Sequence, residues 1–144
     1  IVMNIGRLED AKKVKTFDLS ETENGSLTEL YKDGKKTVLY LTTIKPHGFK
    51  GYHLHRVRAS HYVCVLGKAR IVLYRPGTKE KEEYLLDGDN PQRLFISKEI
   101  AIGLFNVGDE EVWLINYPNP PYDPNLKDEQ VEYKEEELKN GVVK

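Results

Sequence analysis

The stretch Pro46-His47-Gly48-Phe49-Lys50-Gly51-Tyr52-His53-Leu54-His55-Arg56-Val57-Arg58-Ala59-Ser60-His61 contains all four histidines of the chain. Chance scatter rarely gathers every copy of a scarce residue into about one tenth of a sequence. His53 and His55 are two apart, and a strand sends alternate side chains to opposite faces, so both rings leave the same face. Imidazole gains and loses a proton near neutral pH and is the commonest metal-ligating side chain. A same-face pair is therefore a pair of ligands, a base with a helper, or polar decoration on a solvated sheet. A single histidine in a strand is usually structural; the clustering favours function.

Strand signals flank this stretch on both sides. Upstream, Thr37-Val38-Leu39-Tyr40-Leu41-Thr42-Thr43-Ile44 is dense in β-branched and aromatic residues, and Pro46 with Gly48 ends it. Downstream, residues 60–66 form the next strand, closed by Gly67, and Ala69-Arg70-Ile71-Val72-Leu73-Tyr74 follows so closely that the two predict a hairpin. Pro76-Gly77 turns the chain, residues 82–86 return, and Asp87-Gly88-Asp89-Asn90-Pro91 turns it again. Residues 93–96, 100–105 and 112–117 complete the series, with Phe105 and Trp113 read as core. Nearer the start, residues 1–13 read as an edge strand or arm, and 14–18 and 26–31 alternate. Turn signals stand at Glu23-Asn24-Gly25-Ser26 and Lys32-Asp33-Gly34-Lys35. Strands recurring about every 8–12 residues indicate an antiparallel sandwich or barrel. Beyond the stiff exit Asn119-Pro120-Pro121-Tyr122-Asp123-Pro124, the acidic tail predicts one short helix within 132–139, its charges a solvated face.

A chain of 144 residues is large enough to bury a sizeable core as one domain. No run approaches the ~20 apolar residues of a membrane span, and residues 1–5 lack the basic n-region of a signal peptide. A net charge of -1 argues against a general nucleic-acid surface, which needs a concentrated positive field. Cys64 is the only cysteine, so no internal disulfide forms, which fits a reducing cytoplasm. Its apolar run, Tyr62-Val63-Cys64-Val65-Leu66, makes it a core residue rather than a nucleophile.

Gly48, His53-Leu54-His55, Ser60 and Gly67 together resemble the first cupin motif, a glycine, H-x-H, a glutamate and a closing glycine, with Ser60 in the glutamate position. Ser97-Lys98-Glu99-Ile100-Ala101-Ile102-Gly103-Leu104-Phe105-Asn106 aligns with the second, P-x-G-x-x-H-x-x-x-N, keeping Asn106 and replacing the histidine by Ile102. The resemblance implies an all-β cupin jelly roll, a double-stranded β-helix sandwich with a short C-terminal helix or tail. It would be one domain over 1–144, with its core at about 25–124 and the acidic tail at 125–144. A typical cupin centre uses three histidines and a carboxylate; with only His53 and His55 retained, no metal is expected. Ser60 fills the inward position, so alternation turns His61 away.

Within the cupins, the chain looks most like the dTDP-4-dehydrorhamnose 3,5-epimerases and the dTDP-sugar 3,4-ketoisomerases. The resemblance rests on Gly25-Ser26-Leu27-Thr28-Glu29-Leu30, Lys45-Pro46-His47-Gly48-Phe49-Lys50-Gly51-Tyr52-His53, Asn106-Val107-Gly108-Asp109-Glu110-Glu111 and Tyr122-Asp123-Pro124. Lys50-Gly51-Tyr52-His53-Leu54-His55 is similar to the Arg-Gly-x-His-x-His of the ketoisomerases. Both groups work without a metal. The resemblance implies a cytoplasmic homodimer with a nucleotide-sugar partner and no cofactor, nucleic acid or membrane. His53 would be the base that removes a proton beside the ketone, and His55 its helper. Lys50 would stand near the diphosphate as a point charge in place of the family's arginine. Arg56 and Arg58 assist there or face solvent. Glu29 matches an acidic position beside the ligand, or is an exposed strand residue, and Tyr40 lines the barrel or packs in the core.

Two departures bear on the reaction. Ser60 stands where the epimerases carry a lysine that stabilises the oxyanion. Asn116 stands, within one residue, where they carry a tyrosine acid; the adjacent Tyr117 would face the other way. A single-centre reaction with His53 and His55 on one face is easier to support than a double inversion. A binding cupin that lost catalysis, or a small metal-binding cupin using a further histidine, are the alternatives.

Overall fold

Alternating apolar residues and frequent turns give short strands in nearly unbroken succession. They are β1 (Gly6–Asp10), β2 (Lys13–Phe17), β3 (Glu23–Thr28), β4 (Tyr40–Ile44), β5 (Phe49–His55), β6 (Ala59–Leu66), β7 (Lys68–Tyr74), β8 (Lys81–Asp87), β9 (Gln92–Ile96), β10 (Ala101–Asn106), β11 (Val112–Asn119) and β12 (Gln130–Glu132), followed by helix α1 (Glu135–Lys139). The structure is a computed structural model that describes residues 5–11, 13–17, 21, 23–28, 30–31, 39–120 and 125–144. The predicted turn at Lys32-Asp33-Gly34-Lys35, the expectation for Glu29 and the Tyr122-Asp123-Pro124 piece lie outside those residues.

Two five-stranded sheets form, in the orders β1-β9-β6-β11-β4 and β12-β5-β10-β7-β8, while β2 and β3 pair as a separate ribbon. From β4 to β7 the chain changes sheet at every connection, and after the β7–β8 hairpin it does so again through β9, β10 and β11. That alternation is the jelly-roll sandwich expected from the sequence. Ile44, Tyr62, Cys64, Ile71, Leu73, Leu94, Ile96, Ile102, Leu104, Val112 and Leu114 fill the space between the sheets. Each such side chain contributes about 1.5–3 kcal/mol when fully withdrawn from water. Cys64 is buried in this core, and burial pushes its thiol up to about 11, as befits packing rather than nucleophilic chemistry.

The predicted β6–β7 hairpin is corrected: the two strands lie in different sheets. Gly67 takes φ +76 at this corner, where an added Cβ would lie 2.7 Å from the Glu111 carbonyl oxygen. The corner lets Tyr62 and Cys64 of β6 meet Ile71 and Leu73 of β7 across the core instead of lying beside them. The turn expected at Glu23-Asn24-Gly25-Ser26 is instead part of β3, paired with β2. Trp113 is not core but lies 39 % exposed, its indole N–H donating to Glu111. Asn106 packs as a tie: its Nδ2 lies 3.0 Å from the Ile44 carbonyl and 2.8 Å from that of Glu110, and its Oδ1 accepts from the Gly108 N–H.

A second apolar layer covers the outer face of the β5 sheet. Tyr52, Leu54, Val72, Tyr74 and Ala101 pack there against Tyr133 and Leu138 from the tail. The acidic segment therefore docks as a strand and a helix rather than standing free in solvent. Gly103 makes room for this layer, since a Cβ there would sit 2.8 Å from Cζ of the Tyr52 ring. Gly103→Ala is expected to cost about 1–3 kcal/mol through overpacking. A thermal melt reads it directly, and an unchanged midpoint would show that the ring yields freely.

Candidate active site

Strand β5 positions the histidine pair. Its Tyr52 and Leu54 face the outer layer, so His53 and His55 leave the opposite face, toward the core side. The ladder agrees: His53 lies opposite Ile102, a residue of the inter-sheet core. Lys50 lies on the same side, opposite Leu104, and is exposed. Between Lys50 and the histidines the strand is interrupted at Gly51, whose φ is +132 and whose added Cβ would meet the Ile102 carbonyl oxygen at 2.5 Å. Only glycine fits that approach.

The tail completes the site. Strand β12 joins the edge of β5, setting Gln130 opposite His55 and Glu132 opposite His53. Just before it, the buried Glu129 accepts hydrogen bonds from the backbone N–H groups of Val57 (3.1 Å) and Arg58 (3.3 Å) and from Arg58 Nε (2.8 Å). His55 Nδ1 lies 3.2 Å from Glu129 Oε1 and 3.0 Å from Arg58 Nη2. The side chains of His55, Arg58 and Glu129 are only 13 %, 11 % and 9 % exposed. His53 is held more loosely, its Nδ1 being 3.3 Å from Gln130 Nε2 and 3.7 Å from Glu132.

An open cleft of about 410 Å³ lies over this network, lined by Tyr40, Thr42, His55, Arg58, Asn116 and Gln130, with Leu41 at its rim. Its size falls within the small-molecule range of about 300–1,000 Å³. Asn116 follows Val112 and Leu114 on the inward face of β11, and its buried Oδ1 has no hydrogen-bond partner among the described residues. A buried acceptor without a donor is rare enough to need an explanation, and a ligand hydroxyl provides one. Tyr40, read as core or lining, is 39 % exposed in the cleft wall.

The other expected positions separate. Ser60 is buried on the inward side of β6 and does not line the cleft. Arg56 points elsewhere: it donates to the carbonyls of Asp128 and Lys144 and lines a different hollow. Tyr117 does face away from Asn116, stacked on Tyr31 with ring centroids 3.6 Å apart. His61 sits on that outer face too, its Nδ1 3.1 Å from the Tyr117 carbonyl oxygen. His47 meets Asp109 on the surface. Neither histidine joins His53 and His55. Among the described residues no group of three or more His, Cys, Asp and Glu is placed to hold a metal ion, and no helix is long and apolar enough to cross a membrane.

Burial, followed by the Arg58 charge, lowers the His55 pKa below the ordinary imidazole value; Glu129 opposes this. Burial alone would raise the Glu129 carboxyl, but the Val57 and Arg58 N–H groups and His55 outweigh it and hold it low. Both shifts favour a neutral imidazole beside an ionised carboxylate. With Nδ1 engaged, Nε2 is left for the cleft, the arrangement a general base requires. Sequence reasoning missed Glu129 and Gln130. Their signal was an acidic tail that reads like any solvated one until its pairing with β5 is known.

A family model described as the polysaccharide biosynthesis C-terminal domain matches residues 20–130. A spore coat polysaccharide biosynthesis protein of Bacillus subtilis is 28% identical over 131 residues, covering 84% of this chain and 87% of that protein. A dTDP sugar isomerase from Desulfovibrio desulfuricans has a similar structure, with TM-score 0.76, 16% identity and coverage of 91% of this chain and 85% of the other. So has a mutant 3,4-ketoisomerase from Thermoanaerobacterium thermosaccharolyticum in complex with TDP-4-keto-6-deoxyglucose, with TM-score 0.68, 19% identity and coverage of 97% and 96%. The fold is thus that of the cupin sugar-nucleotide isomerases.

Proposed function

The chain belongs to the polysaccharide biosynthesis C-terminal domain family, and from that premise we propose that it isomerises a nucleotide-linked 4-keto-6-deoxy sugar beside its ketone, without a metal. One observation carries the reading: His55 lines an open cleft while the buried Glu129 carboxylate lies 3.2 Å from its Nδ1. A ketone acidifies the C–H bonds next to it. His55 Nε2 removes such a proton, the C–H pair becomes a C=C bond, and the carbonyl π pair moves to oxygen. The roles of the pair are thereby exchanged relative to the family resemblance, with His55 as base and His53 as the neighbouring donor. Lys50, exposed on the same face, suits the diphosphate.

The wall opposite offers an amide, Asn116, which cannot return a proton as an acid. Tyr40, the cross-strand partner of Asn116 in that wall, carries a phenol, whereas a proton that comes back from the histidine face has two destinations. Delivered to the former carbonyl carbon, while the proton of the adjacent hydroxyl passes to the enolate oxygen, it shifts the ketone by one position; delivered to its own carbon, it leaves only isotope exchange. Return from the histidine face thus supports isomerisation over double inversion. The resemblance to cytoplasmic homodimers extends the proposal to a single-domain chain working as a dimer, which sedimentation tests.

Incubation with dTDP-4-keto-6-deoxyglucose in heavy water should place deuterium beside the ketone. The uncharged Ser60 and the non-acidic Asn116 favour a second reading, a cupin that only binds a nucleotide sugar. That reading predicts thermal stabilisation by dTDP with no exchange. The acid limb of the exchange rate should fall below the ordinary imidazole pKa of about 6.5, because burial and Arg58 favour the neutral ring. A limb above that value would reject His55 as the base.

A further inference from the structure

Resting on that reading, we infer that Arg58 is a catalytic residue, the cation that meets the negative charge developing on the sugar's ketone oxygen. Proton removal creates an enolate, and an enolate in a cleft needs a fixed donor where its charge appears. Ser60 carries no charge and lies buried outside the cleft lining. Lys50 does not line the cleft, and Arg56 is turned to the carbonyls of Asp128 and Lys144. Arg58 is the permanent cation in the described lining. Its side chain is 11% exposed, so its field acts through little water.

The geometry couples this cation to the base. Glu129 Oε1 takes Arg58 Nε at 2.8 Å and fixes the plane of the guanidinium, placing Nη2 3.0 Å from His55 Nδ1. Nδ1 cannot serve both neighbours at once. When it accepts from Nη2, the ring proton is on Nε2 and His55 is no base. When its own proton is donated to Glu129, 3.2 Å away, Nε2 becomes a free base. Two N–H groups then face one another, and Nη2 is driven to another acceptor. The ketone oxygen of a substrate in the adjoining cleft offers such an acceptor. The tautomer that makes His55 a base is thus the one that offers Arg58 to the oxyanion. Electrons balance within the substrate: the C–H pair becomes the C=C bond, the π pair goes to oxygen, and the proton rests on Nε2 until it returns to carbon.

The test compares wild type, Arg58→Ala and Arg58→Lys by deuterium exchange from heavy water at saturating dTDP-4-keto-6-deoxyglucose, with dTDP affinity measured separately. Arg58→Ala is expected to lose about 10²–10³-fold in exchange rate while still binding dTDP, and to recover part of it when guanidinium ion is added below denaturing concentration. Arg58→Lys keeps a cation opposite Glu129 and serves if the alanine variant does not fold; it is expected to exchange more slowly at unchanged KM. Exchange at the wild-type rate in either folded variant overturns the inference. So does a loss in Arg58→Ala that guanidinium does not relieve, since a purely structural arginine would behave so. Wild-type protein that exchanges no deuterium overturns the sugar-isomerase reading itself, and this inference with it.

Discussion

His55→Gln is expected to lower the rate of deuterium exchange by about 10²–10⁴-fold, the usual contribution of a positioned acid–base group. Glutamine retains a polar end of similar reach but cannot accept and hold a proton at neutral pH. The fold should survive, because the neighbours Leu54 and Ala101 that anchor this part of β5 are untouched. The same substitution at His53 should cost less. His53 is 36% exposed, and its contacts to Gln130 and Glu132 are long. Measuring exchange, melting temperature and dTDP binding on both variants separates the roles. Equal losses would mean a shared proton relay, and a larger loss at His53 would restore the assignment drawn from the family resemblance.

The largest effect on stability is expected at Glu129. Removing its carboxylate in Glu129→Ala leaves Arg58 charged, 11% exposed and deprived of the Glu129 carboxylate, and frees the N–H groups of Val57 and Arg58. Breaking one side of a buried pair typically costs about 3–5 kcal/mol. Urea titration should show this as a lower midpoint, and Glu129→Gln, which keeps one acceptor oxygen, should lose less. The sign with pH follows from the lowered Glu129 pKa. Its stabilisation is complete above the unfolded-state value of about 4.3 and disappears as pH falls through the folded one. The wild type should therefore lose its advantage over Glu129→Ala in acid. A difference that persists unchanged below that window would assign the effect to packing instead of charge.

Much of the architecture was legible from one dimension. The alternation of residues 60–74 and 100–117 marks strands, and the spacing of His53 and His55 sets both rings on one side, as the ladder shows. The same alternation turned His61 and Tyr117 outward. What escaped was what depends on distant pairing. Whether β6 and β7 lie side by side or face each other is decided by the φ of Gly67, which composition does not encode. Trp113 looked like core because aromatic residues usually are, but the far side of its sheet is open there. Glu129 was indistinguishable from the other acidic residues of the tail until β12 attached to β5 and brought it against His55 and Arg58. Arg56 and Arg58 look alike in sequence, and alternation would set both on one side; the bend between β5 and β6 instead sends one to the tail's carbonyls and one to the cleft.

The carboxylate that orients the base does not belong to the sandwich. It sits 74 positions further along the chain, beside a three-residue strand added to the border of one sheet. A newly made chain can therefore close both sheets before it owns a working base. Anything that peels this short strand away, such as a bulky fusion or a competing peptide on the same border, would disarm proton transfer and uncover the apolar layer that the tail protects.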